Sequence, residues 1–164
     1  IFKNKKHNSD LYNILFNLSR KLYFYDKLKL KDTFETRIYL MFFHFSLILI
    51  IFKKKDVSFS QSNYDSLFYS IENNIRELGF GDVAVNKKMK ELNKVFYDIL
   101  LKISKKVDNF KVNKELVLKY FEYLKDTNDD KYKLFEQYIT NFYHFCFELS
   151  PETMLKDVNK FKDY

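Results

Sequence analysis

An all-α fold follows from three observations on this chain. Apolar residues recur at i, i+3 and i+4 along nearly its whole length, alternation of period two is scarce, and the 164 residues include only two glycines and one proline. No Pro/Gly/Ser-rich stretch marks a linker, so the chain predicts one domain over 1–164. That domain is a bundle of about six to seven helices, long enough to bury a core of its own.

Leu11, Ile14, Leu15, Leu18 and Leu22 form the stripe of an opening helix, followed by the aromatic run Tyr23-Phe24-Tyr25. Asp32-Thr33-Phe34-Glu35 has the form of a capping box, with Asp32 accepting from the Glu35 backbone and Glu35 reaching back. It predicts the start of a helix that carries Arg37 and the apolar run 38–52. That run is shorter than the roughly 20 residues of a membrane span and contains Tyr39, His44 and Ser46, so a buried core helix is expected. Lys53, Lys54 and Lys55, which follow it, offer a peripheral membrane contact.

Tyr64, Leu67, Phe68, Ile71, Ile75 and Leu78 make the next stripe, and Val85, Met89, Leu92, Phe96, Ile99 and Ile103 the one after it. Beyond Phe110, a stripe of Leu116, Tyr120, Phe121 and Leu124 precedes a polar break at 126–130. Phe135, Tyr138, Ile139, Phe142 and Leu149 mark a last long helix, and Ser150-Pro151-Glu152 opens a short terminal helix or a frayed tail.

The only two glycines and the only alanine, Ala84, fall within residues 76–90. In a chain built largely from Lys, Asn, Ile, Phe and Tyr, whose codons are A/T-rich, a glycine that persists has a backbone role. Gly79 is expected to stop a helix in the left-handed conformation, and Gly81 to allow close approach in a tight interhelical turn. Asp82 is placed to cap the following helix, where the dipole favours a negative charge. Lys87, Lys88, Lys90 and Lys94 spread over the more polar side of that helix.

Arg20, Arg37 and Arg76 are the only arginines among 29 basic residues. A planar fork that grips a carboxylate is not replaced by lysine, so these three are expected in fixed ion pairs. Asp32, Asp65, Glu72 and Asp82 are the available partners.

The formal charge of +7 is uneven: the first 112 residues hold 21 Lys/Arg against 12 Asp/Glu, the rest eight against ten. A basic field of this kind attracts RNA, anionic lipid or an acidic partner, although solvated lysines on helix faces produce the same count. The single cysteine, Cys146, excludes an internal disulfide framework and fits a reducing compartment, where it is expected as a small buried residue. His144 lies two positions away, a spacing that points the two side chains to different sides of a helix. His7, His44 and His144 are far apart in sequence, and His44 is expected to be a hydrogen-bonded core imidazole. With no phosphate-binding glycine loop, zinc-spaced cysteines or nucleophile elbow, the sequence predicts neither an enzyme nor a bound cofactor or metal. Ile1 suggests a fragment or processed form, and no signal peptide is recognised.

Arg76-Glu77-Leu78-Gly79-Phe80-Gly81-Asp82, continued by Lys87-Lys88-Met89-Lys90 and Phe96-Tyr97, resembles the signature of the ubiquinol-cytochrome c chaperone family, the assembly factors of the cytochrome bc1 complex. Arg20 with Tyr25, Asp32-Thr33 with Arg37, His44 with Leu47, and Asp65 with Leu67 and Phe68 follow that family's pattern in order. The likeness covers Leu11 to Phe110 and includes all three arginines. Asp98-Ile99 stands where the family has Gly-Arg, so a basic contact is lost or moved there. The resemblance implies a non-enzymatic, all-helical chaperone that binds newly made cytochrome b near the membrane, alongside the ribosome or a small assembly partner. The composition favours the bacterial cytoplasm at the inner membrane, with the matrix side of the mitochondrial inner membrane as the other setting. Partner contact is expected at Arg76, Phe80, Asp82, Lys87, Lys88 and Lys90, with Phe80 either exposed there or tucked into its own turn. A basic helical adaptor for RNA or anionic lipid is the competing reading.

Overall fold

Helix α2 (Phe34–Lys54) runs through the centre of the fold because it is apolar on nearly every side, and 12 of its 21 residues are buried. It is long and apolar enough to cross a membrane, yet its neighbours cover most of it. The computed structural model describes residues 9–104, 109–125 and 130–163; His7 and the polar break at 126–129 lie outside these. Around α2 stand α1 (Asp10–Ser19), α3 (Gln61–Glu77), α4 (Asp82–Lys102), α5 (Lys114–Tyr120), α6 (Lys131–Phe147) and the short α7 (Met154–Asp157). The described residues therefore form an all-α bundle of seven helices; their one β-type contact is an isolated bridge between Ser104 and Val112.

Ring contacts set the helix directions. Phe42 meets Phe68 and Phe45 meets Tyr64, so α3 runs antiparallel to α2. Glu35 reaches Lys88 and Phe45 meets Phe96, so α4 runs parallel to it. Phe43 on Phe135 and Lys55 on Phe147 give α6 the same sense as α2. The core is continuous from Leu11 to Phe161.

His44 lies in this core, fully buried, between the rings of Phe24, Tyr138 and Phe142. Its Nδ1 is 2.7 Å from the Leu40 carbonyl and its Nε2 2.7 Å from the Tyr138 hydroxyl, so it is a satisfied core imidazole. Cys146 is buried too, and burial pushes its thiol up to about 12.

Several local expectations change. The opening helix stops at Ser19, the chain passes through a π-helical turn at Tyr23–Lys27, and Leu22 faces solvent. The cap of α2 is Thr33, whose hydroxyl accepts from the Thr36 amide at 3.2 Å, while Asp32 is engaged by Arg37 instead. Lys55 does not present a free charge to a membrane: its Nζ donates to the carbonyls of Phe147 and Leu149 at 2.5 and 2.7 Å and closes the end of α6. Lys54 lies over the Tyr143 ring. The chain end is no frayed tail, since Met154, Val158 and Phe161 are buried and Phe161 meets Tyr138 and Phe142 edge-on.

Candidate functional site

One end of the bundle gathers residues that lie far apart in sequence. The starts of α2 and α4 meet the end of α3 there, and Glu35 on α2 reaches Lys88 on α4 at 3.7 Å. Arg37 places Nε and Nη2 at 2.8 and 2.5 Å from the same oxygen of Asp32, so two donors converge on one acceptor rather than forming a two-oxygen fork. The hydrogen bond to Asp32 pushes the Arg37 guanidinium further up. Tyr25 lies within the field of Asp32, Arg37 and Arg20; its hydroxyl donates to the Ser19 carbonyl at 2.7 Å, and burial, then Asp32, raise it. Tyr12 is likewise raised by burial and by Glu77.

Arg76 bridges two carboxylates across the end of α3. Nη1 donates to Asp82, the first residue of α4, and Nη2 to Glu72 at 3.4 Å, one turn back on α3. Asp82 is therefore not the cap that sequence suggested: Gly81 holds that position without a side-chain acceptor, and the arginine draws the carboxylate back across the turn. Asp65 takes a hydrogen bond from Gln61 at 2.8 Å rather than an arginine. Arg20 lies over the Phe16 ring at 5.2 Å, and among the described residues it has no ion pair.

Gly79 has φ +98, the conformation a helix stop of this kind needs. Gly81 differs from expectation: its φ of −76 is ordinary, and a side chain there would meet nothing within 4 Å. Between the ion pairs the turn displays apolar side chains to solvent, with Phe80 51% and Val83 85% exposed and Leu78 exposed beside them. Leu78 belongs to the core stripe by spacing alone; as the C-cap of α3 it is where the chain leaves the helix axis. Lys88 turns toward Glu35, which leaves Lys87 and Lys90 facing solvent.

A family model described as ubiquinol-cytochrome C chaperone matches residues 26–119, more than half of the chain. The chain belongs to that family. The match takes in the whole end of the bundle from Asp32 to Lys90, leaves out Arg20 and Tyr25, and extends past Phe110 through most of α5. No curated protein and no solved structure matches the chain significantly. The family is one of chaperones for ubiquinol-cytochrome c reductase, the bc1 complex of the respiratory membrane.

For a chaperone the arrangement is chemically apt. The bridge from Glu72 through Arg76 to Asp82 spans the turn and the Lys88–Glu35 pair ties α4 to α2, neither covering the turn, and its exposed side chains are of the kind that bind apolar surface. The carboxylates of Asp32, Glu72 and Asp82 are taken up by arginines, and no group of three or more His, Cys, Asp or Glu among the described residues is placed to hold a metal.

Sequence reasoning missed Asp98, which organises the far end of α4. It accepts from Lys102 and Lys119 at 2.8 Å each and from the Tyr120 hydroxyl at 2.5 Å. The positive charges it gathers come from α4 itself, through Lys102, and from α5, through Lys119.

Proposed function

We propose that this protein holds newly made cytochrome b while the bc1 complex is assembled, and performs no catalysis of its own. Membership of the chaperone family carries the reading, because the matched region spans α2 to α4 and the turn between α3 and α4. Cytochrome b is a bundle of apolar helices whose interior histidines lack a partner until haem arrives. A rigid turn that exposes Leu78, Phe80 and Val83 offers such helices apolar cover, and Arg76, Asp82, Lys87, Lys88 and Lys90 form its polar rim. The protein acts on the face of the membrane from which cytochrome b is inserted, the bacterial cytoplasm or the mitochondrial matrix, and a ribosome or small assembly partner contact belongs to the same reading.

The test is the content of bc1 complex in membranes lacking the protein, read from haem b and c absorbance and ubiquinol-cytochrome c reductase activity, with a second respiratory complex as control. Selective loss of bc1, restored by the wild-type chain and not by a stably folded Phe80→Ser variant, is the expected outcome. Normal bc1 content overturns the reading.

A further inference from the structure

Val83, Lys87, Lys90, Lys94, Tyr97 and Leu101 are spaced four, three, four, three and four residues apart on α4, and all six are exposed. At 3.6 residues per turn they fall within a sector of about 80°, a straight strip about 27 Å long. Lysines occupy its middle and apolar residues its ends, where Val83 is 85% and Leu101 77% exposed. We propose that this strip is a docking surface for an anionic lipid bilayer, on which α4 lies flat.

Charge complementarity selects the occupant. Among the described residues Lys87, Lys90 and Lys94 have no ion-pair partner, whereas Lys88 and Lys102, off the strip, are paired with Glu35 and Asp98. The strip carries no carboxylate. Glu91 lies outside the sector, and Asp98 at its margin is taken up by Lys102, Lys119 and Tyr120. Three cations without an ion pair, set in a row and outnumbering the one nearby carboxylate of Glu91, fit a plane of phosphate headgroups, and their aliphatic stems let the charges reach that plane while the helix sinks toward it. Val83, Tyr97 and Leu101 favour lipid over nucleic acid, because apolar side chains gain by leaving water at the bilayer interface and find no such environment along a sugar-phosphate backbone. One aromatic ring in the strip is too few for the successive stacking that single-stranded nucleic acid requires. Docked this way, the strip would carry the α3–α4 turn to headgroup level, since Val83 belongs to both.

Flotation of the purified chain with vesicles tests the surface directly. Binding is expected to vesicles of equal parts phosphatidylcholine and phosphatidylglycerol and not to phosphatidylcholine alone. Exchanging Lys87, Lys90 and Lys94 together for Gln should weaken it roughly a hundredfold. A second variant, Val83→Ser with Leu101→Ser, keeps every charge and should weaken it about tenfold. All five side chains are exposed, so the variants retain the wild-type helical circular dichroism. Equal binding to neutral vesicles, indifference to the lysine exchange, or displacement of the protein from vesicles by an RNA oligonucleotide would each overturn the proposal. The experiment involves no cytochrome b, so its failure leaves the chaperone reading untouched, and normal bc1 content in cells would leave the lipid surface untouched.

Discussion

The Tyr138 hydroxyl on α6 donates to Nε2 of His44 on α2 across 2.7 Å, at the centre of the fold. The direction is fixed from the other side of the ring: Nδ1 faces the Leu40 carbonyl, which can only accept, so Nδ1 carries the proton and Nε2 is left as acceptor. Burial then holds the imidazole neutral, pushing its pKa from 6.5 down to about 4. As the pH falls, the unfolded chain takes up this proton before the folded one does. The contribution of His44 is therefore intact above pH 6.5 and is lost between 6.5 and about 4. Urea unfolding midpoints measured across that window should fall for the wild type, by up to about 1 kcal/mol of stability per pH unit. His44→Gln should flatten that slope. Parallel slopes for the two proteins would show that another group titrates there.

Tyr138→Phe isolates the hydrogen bond from the packing. The ring contacts to Phe24, His44 and Phe161 are kept, and only the donor to Nε2 is removed. An orphaned buried acceptor costs about 1–3 kcal/mol, to be read as a lowered unfolding midpoint. In the double variant with His44→Gln the two losses should fall short of additivity, because they remove one shared interaction.

The helices and the core were legible because each is written in local spacing: Leu67, Ile71 and Ile75, four residues apart, are all buried as that pattern requires. Gly79 was legible for the same reason, since the need for positive φ sits at one position. What escaped were choices between near neighbours and contacts at long range. Asp32 and Thr33 both suit a cap, and the outcome turned on where Arg37, five residues away, could reach. Lys55 closes a helix 92 residues further along, and Lys119 joins Asp98 over a separation of 21; no periodicity marks such a pair. Along α4 the lysines could be read off, but the strip they form with Val83, Tyr97 and Leu101 emerges only once the opposite side is seen packed on α2 and α3.

The two glycines of the turn should respond oppositely to substitution. Gly79→Ala forces a side chain into positive φ and is expected to cost about 1–2 kcal/mol. Gly81→Ser has open space, an ordinary φ and an N-cap position in which a hydroxyl can accept from α4, so it should be neutral or stabilise by a few tenths of a kcal/mol. Asp56 at the end of α2 has φ 58, and Asp56→Gly there should raise stability by about 1 kcal/mol. Thermal midpoints of the three variants check the order.

The bridge from Glu72 through Arg76 to Asp82 is solvent-exposed, so its contribution belongs to the turn rather than to global stability. Arg76→Ala is expected to leave the unfolding midpoint nearly unchanged while hydrogen exchange at Gly79, whose amide donates to the Arg76 carbonyl at 3.0 Å, becomes faster. A large drop in the midpoint with unchanged exchange at the turn would place the role of Arg76 elsewhere.

Asp98 is the case in which a charged pair should matter for the fold. Its side chain is only 14% exposed, one oxygen accepts from both Lys119 and Tyr120 of α5, and the other faces Lys102. Burial pushes this carboxyl up, but the bonds from Lys102, Lys119 and Tyr120 together outweigh it and hold the group well below the usual carboxylate range. Protonation therefore begins in the unfolded chain at about 3.8, and the stability tied to Asp98 is present above that pH and lost as the pH falls below it. Asp98→Asn keeps the shape and removes the charge. At neutral pH it should cost about 1–3 kcal/mol and speed amide exchange across Lys114–Tyr120, since the bonds that fasten α5 to α4 weaken. In acid the wild type should lose this advantage, so the two unfolding curves converge below pH 3.8; a constant gap down to the lowest pH would mean that packing, not the charge, holds α5 in place.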